Sequence, residues 1–498
     1  MGKRGLHFIL LCCGLILQSC SPESQEFSAT KFPPIEPTQT IELTPYPVAP
    51  IKAPTTIPYF EVTERPLDPE GPWLWLLISE EGYYSLRNLD GTGLTYLPTL
   101  SKTFQDNNIA PIFYSQRKNQ ILVETKSYFL GEHFLSIINL PKDTVIKLIP
   151  LIGTDAQDAI ANFKYTPEQE LSPILFSLFD ESASWSPDGS LIAIAGAMEG
   201  PSTDIFVYDF ENDQIRQLTN EPDQVSILGW SPDSKYIIYY TTNHIDDYGS
   251  HIESYWAVDM EGGSKKLVEI NDTVSSSKIA GWLSEDTFIT SRISFEFPSE
   301  DLKMINIQSG EIQTLYEEHY DNEYFDKKSS RLFINFQRVL GWKPKDYGVF
   351  EYDFENKNLQ MFLPGKVSIN GRLENTPYFF GGEYIDRNYS SHIIDHQGNV
   401  IINAITSSYS IPPIASPNGN YIVLQTGNTE LSIFNRSGVK IRSLDAIGEI
   451  CWNDDSQSFY IYKTNSQELI IYYADAKYNW EPIEINRFPN IYFEIIEP

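Results

Sequence analysis

The sequence predicts an all-β fold, a β-propeller of four-stranded antiparallel blades, about eight of them and seven to nine at the limits. Three observations carry this. A Trp-turn motif recurs along the chain, as in ASWSPDG (183–189), GWSPDS (229–234), GWLSED (281–286), ASPNG (415–419) and CWNDDS (451–456). A second, alternating hairpin follows most copies, as in DIFVYDFENDQIRQLT (204–219) and ELSIFNRSGVKIRSL (430–444). The copies recur at blade-like intervals: Ser186 to Ser231 is 45 residues, and Ser416 to Asn453 is 37.

The N-terminus reads as an address. Lys3 and Arg4 precede an apolar run from Leu6 to Leu17. That run is too short for a bilayer core of about 30 Å, which needs roughly 20 residues, and it fits the h-region of a signal peptide spanning 1–19. It ends Leu17-Gln18-Ser19-Cys20, which resembles the lipobox of bacterial lipoproteins, although Gln18 stands where a small residue is more usual. The resemblance implies lipid attachment at Cys20, cleavage before it, and an exported protein held at the outer face of the cell membrane or at the outer membrane. Residues 20–58 are rich in Pro and Thr and poor in periodic apolar content. They read as an extended tether that cannot bury enough surface to order itself.

The repeating body is expected over 59–498. Its first clear hairpin is YYSLRNLDGTGLTYL (83–97), and a whole unit lies between Phe113 and Ile149. Residues 150–182 interrupt the alternation, with a short helix expected at 156–163, and read as a surface excursion or a cap over one channel mouth. Units then follow from Ala183 and from Gly229 and Gly281, at 325–363 and 377–405, and from Ala415 and Cys451. In each first hairpin Pro presets φ, Asp accepts local hydrogen bonds and Gly closes the turn. The Trp before the turn is large enough to pack on a neighbouring sheet. Nine segments are countable. A ring that shares one blade between its ends brings the expected number to about eight. The final run Ile491–Ile496 is expected to pair with the first blade, and Tyr59–Val62 with the last.

The strings WSPDG, RQLT and NLDGTGLTYL resemble the Pro-Asp repeats of TolB-type, WD40-like propellers. The resemblance covers about Trp73 to Ile485. It implies an architectural role for Trp185, Pro187, Asp188, Gly189, Trp230, Pro232, Asp233, Trp282, Pro417 and Trp452, and it carries over no catalytic set.

A formal charge of −31 makes nucleic acid an unexpected partner. Of four cysteines, Cys12 and Cys13 lie in the leader, so a mature chain keeps Cys20 and Cys451, too few for a disulfide framework. The sequence contains no nucleophile elbow, phosphate loop or zinc-type Cys pair. The segment NHIDDYGSHIE places His244, Asp246, Asp247, His251 and Glu253 together in what reads as a loop, a set able to bind a divalent cation but more simply a solvated polar turn. His392 and His396, four apart on a strand, would not share a metal. No cofactor and no metal are expected, and the chain is expected to be a monomer. Two functions remain: a lipid-anchored binding or scaffold module for a protein, peptide or glycan, and a glycan-cleaving enzyme with its site in the channel.

Overall fold

The chain divides into two units, 1–57 and 58–498. The computed structural model describes residues 62–496 except 79–82, 99–100, 102–111, 118–119, 127–132, 164–173, 175–182, 247–248, 275, 294–299, 337–346, 386–387, 408–410, 465–467 and 490. The expected signal peptide, Cys20 and the tether therefore lie outside the described residues, as does Tyr59. Val62 is described and belongs to no strand.

The described residues of the second unit form nine four-stranded antiparallel sheets. Blade 1 takes its second, third and fourth strands from the start of the unit, Trp73–Ile78, Tyr83–Asn88 and Thr95–Tyr96, and its first from the end, Ile491–Ile496. Blades 2 to 9 are each continuous in sequence, at 112–150, 183–217, 224–274, 276–316, 322–364, 368–407, 414–444 and 449–489. The number is nine, one above the central expectation of about eight and at the upper limit of the seven to nine expected. All nine countable segments become blades, because the C-terminal strand completes the first blade instead of merging two of them. It pairs in register from Trp73 opposite Ile496 to Ile78 opposite Ile491.

Each junction between consecutive blades holds its own buried apolar cluster. Trp73 and Trp75 pack with Ile121 and Val123 of blade 2, while Leu74 and Leu76, pointing the other way, pack with Tyr462 and Ile471 of blade 9. Alternate residues of one strand thus serve two junctions. That explains why such strands are apolar at every position, as expected of a sheet buried on both faces. Tyr462 also donates its hydroxyl to the Leu89 carbonyl at 2.9 Å, across the junction that closes the ring.

The first strands of successive blades approach one another, as in Gln224–Trp230 beside Ser276–Trp282 and Asn322–Asp326 beside Ser368–Arg372. The fourth strands are largely exposed, as in Thr144–Pro150 and Gln214–Gln217. First strands therefore stand inside and fourth strands outside. The turns joining strands one to two and three to four share one rim, and the remaining connections share the other. We call these the turn rim and the loop rim.

Two local expectations change. The segment 244–253 is not a loop between strands. The second and third strands of blade 4 run on through it, over Tyr236–Asp246 and Gly249–Asp259, paired as far as Asp246 opposite Gly249 with bulges at Thr242. Bulges let the hairpin lengthen without losing its pairing. The helix in the excursion spans Thr154–Asn162 and lies at the loop rim, with Ala156 buried against Ile152, Ile174 and Ala197.

Candidate functional site

The turn rim is built by the repeat motif. Ser186 Oγ donates to Asp188 Oδ1 at 2.6 Å and accepts from Leu191 N, and Ser231 with Asp233 and Ser416 with Asn418 repeat the pattern. The motif also links blades. Asp188 N donates to Ser234 Oγ of blade 4 at 3.2 Å, and Asn418 N donates to Ser456 Oγ of blade 9 at 3.0 Å. Trp230 Nε1 donates to the Ser184 carbonyl of blade 3 at 3.1 Å. Trp185 is only half-buried and stacks on Phe210 of its own blade at 5.1 Å. Trp282 lies on Phe288, and Trp452 between Tyr421 and Phe459. The structure places Trp185, Pro187, Asp188, Gly189, Trp230, Pro232, Asp233, Trp282, Pro417 and Trp452 at the turn ends of five different blades and does not gather them into one site.

Carboxylates on this rim are held ionised. Asp209 lies below its ordinary value because the Asn212 amide and turn N–H groups bond it, and Asp353 does so through Asn356. At Asp188 and Asp233 burial opposes ionisation, and the hydroxyl and N–H donors outweigh it.

The loop rim has the opposite character. Asp204, at the start of the third strand of blade 3, is 1% exposed. It accepts bonds from Thr219 Oγ1, Gln217 Nε2 and Glu221 N at 2.9, 3.1 and 2.8 Å. Burial nevertheless pushes its carboxyl up. Tyr239 Oη donates to Glu221 Oε1 at 3.0 Å. Asp223 is raised by burial and by Glu253 and Glu221 beside it. Four carboxyls thus converge at the junction of blades 3 and 4, and the proton affinity of two of them, Asp204 and Asp223, is raised.

The junction of blades 5 and 6 carries mixed charge. Glu323 accepts from Lys278 Nζ at 2.9 Å and from Ser291 Oγ at 2.8 Å. Asp301 pairs with Arg292 at 3.1 Å and Lys303 at 2.6 Å. The fully buried Tyr320 has its phenol pushed far up by burial and by the Glu323 charge. Glu430, in blade 8, departs from the raised carboxyls of this rim: Thr426, Lys440 and Ser443 hold it at about 2.

Chemically, the rim offers a cluster of carboxyls, two of them with raised proton affinity, and fixed cations two junctions away. Among the described residues no three His, Cys, Asp or Glu side chains are grouped to hold a metal ion. The side chains of His244, Asp246 and His251 lie outside the described ones. His392 is buried within blade 7, its Nε2 3.8 Å from Glu383, and His396 sits beyond the strand end. Sequence reasoning missed Asp204, Asp223, Glu323 and Tyr320, and it named Glu253 only as a possible cation ligand in the 244–253 segment, not as a neighbour of Asp223. Apart from Tyr320 and Glu323, they come from separate segments, and they share no motif.

No protein-family model matches the chain, and no curated protein matches it by sequence. Among solved structures, the chain is similar to a eukaryotic initiation factor at 13% identity and TM-score 0.50, covering 86% of this chain and all of that one. It also aligns with the Dos1 propeller at 12% identity and TM-score 0.40, covering 62% of this chain and 85% of that one. A third match is dipeptidyl peptidase 4 of Porphyromonas gingivalis, at 11% identity and TM-score 0.41; the alignment covers 86% of this chain but 59% of that protein. At such identities, likeness speaks for the fold alone.

Proposed function

We propose that the protein is a lipid-anchored, extracytoplasmic propeller of the TolB-like class that binds a protein, peptide or glycan through its loop rim. The observation that carries this reading is the contrast between the rims. One is made of short, repeated, self-bonded turns. The other collects the long and dissimilar connections, the excursion helix and the carboxyls of raised proton affinity, which is where a scaffold of this kind places recognition. The anchor reading rests on the leader and on Cys20.

The test is capture from intact membranes with the full chain bearing a photo-crosslinking residue at Glu221 on the loop rim or at Asn212 on the turn rim. Specific adducts from the loop-rim position support the reading; adducts of equal yield from both positions overturn it. Replacing Cys20 by Ala should release the protein from membranes or leave it unprocessed. A processed variant that still sediments with membranes defeats the anchor.

A second reading is favoured by one observation, the raised Asp223 carboxyl beside Glu253. A carboxyl of raised proton affinity next to a second carboxyl is the kind of pair that glycan cleavage uses. Glycan turnover by the native protein that is abolished in Asp223→Asn would establish it, and no turnover across a glycan panel would remove it.

A further inference from the structure

We propose that the seam between blades 9 and 1 holds a binding cleft for a lysine side chain presented by a peptide or protein partner. The cleft follows from the way the ring closes. In blades 2 to 9 a turn joins the first strand to the second. Where these turns meet across a junction they fill the notch on the turn rim: Asp188 reaches Ser234, Asn418 reaches Ser456, and a methyl added to Gly419 would lie 2.1 Å from the Asn375 carbonyl of the blade before. Blade 1 has no such turn, because its first strand is Ile491–Ile496 and its second is Trp73–Ile78, from opposite ends of the unit. The turn of blade 9 therefore faces an unfilled notch.

The incoming segment at 65–72 lines this notch instead of a turn, and leaves a half-open cavity of about 160 Å³. Such a volume takes one long side chain and is well below the several hundred Å³ of a drug-sized site. Its walls suit an alkyl chain ending in a cation. Pro72 and Leu89 are apolar, and Trp452 and Tyr460 add aromatic surface. Arg65 also lines the cleft, but its Nε is committed to Asp90 at 3.1 Å. That leaves the charges of Asp68 and Asp454, neither of which has an ion pair among the described residues. Both are exposed, so water hydrates them in the free protein; an anion would meet two carboxylates there, an uncharged chain would gain nothing from them, and a cation is attracted by both. A chain of formal charge −31 also steers basic partners towards itself. The cleft lies on the rim opposite the proposed recognition surface, so it stands or falls independently of that reading.

The test uses the full chain and two short peptides, acetyl-Gly-Lys-Gly-amide and its Nε-acetyl-lysine counterpart, observed by saturation-transfer NMR. Transfer to the lysine methylenes is expected for the first peptide, and an affinity about tenfold weaker for the second. Asp68→Asn with Asp454→Asn should weaken the charged peptide by a similar factor. Asn at 68 keeps the oxygen that accepts the Glu70 N–H at 3.0 Å. Asp454→Asn alone, at an exposed side chain, covers the case in which the double variant fails to fold. Equal transfer from the two peptides, or an unchanged affinity in either folded variant, overturns the proposal.

Discussion

Two tryptophans with the same sequence motif occupy different environments, and their substitutions should differ accordingly. Trp230 is 6% exposed, packed between blades and bonded to Ser184, so Trp230→Ala should cost about 3–5 kcal/mol in denaturant unfolding. Trp185 is half-buried against Phe210, and Trp185→Ala should cost about half as much. Equal losses would contradict these placements. The motif told which residue to look at but not how deeply it lies, because burial depends on the neighbouring blade. His392 makes the point more strongly. Burial lowers its proton affinity in the folded chain, and the Glu383 charge only partly opposes this. A His held neutral on folding contributes stability above its unfolded value of about 6.5, and that contribution is lost as pH falls below it. The melting temperature should therefore drop between pH 7.5 and pH 5, and drop less in His392→Leu. A steeper drop in the variant would reverse the sign. Nothing in the sequence around His392 marks it as buried; its strand simply happens to face inward.

At the scale of elements, the turns were legible because their chemistry is local. Ser, Pro, Asp and Gly at fixed offsets specify the hairpins, and the hairpins specify the blades. What the motif conceals is its second use, as a link between blades. Ser234 stands where Gly189 and Gly419 stand in their own blades, and takes a φ of +60°, which suits glycine. It keeps its side chain for the bond from Asp188 N. Ser234→Ala loses that bond and retains the backbone strain, so it should destabilise by about 1 kcal/mol. Ser234→Gly loses the same bond and relieves the strain, and should be close to neutral. Alanine matching glycine in chemical unfolding would show that the strain contributes nothing, and alanine matching the native chain would show the same of the bond. The segment at 244–253 was misread for the converse reason. Its Asp, Gly and Ser suggest a loop, but pairing begun further down both strands continues through them with bulges. The carboxyl group of Asp204, Glu221, Asp223 and Glu253 was illegible altogether, since two blades and the connection between them must be assembled before it exists.

The whole molecule depends on one non-local pairing. Every other blade can form from a continuous stretch of chain, which is why nine repeats were countable and why the closure only had to be chosen among few alternatives. Subtracting a shared blade was the wrong choice; the ends complete a blade together. Deleting 491–498 tests how much rests on that. The deletion strips the first strand from blade 1, leaves the Trp73–Ile78 edge unpaired and removes Phe493 and Ile495 from the cluster that joins blades 9 and 1. Two half-buried side chains at about 1.5–3 kcal/mol each when fully buried, together with a ladder of backbone bonds, set the direct loss at about 3–5 kcal/mol. That is a large share of the 5–15 kcal/mol that a folded protein commonly has. In a ring the effect does not stay at the end of the chain. Blades 9 and 1 lose contact, each acquires an open face, and every other junction loses the constraint of closure. The truncated protein should therefore melt well below the full chain, with the change felt in tryptophans far from the cut, such as Trp230 and Trp282. A truncation that melts like the full chain, or that frays only around blade 1, would mean that the nine blades hold together as a stack and not as a closed ring.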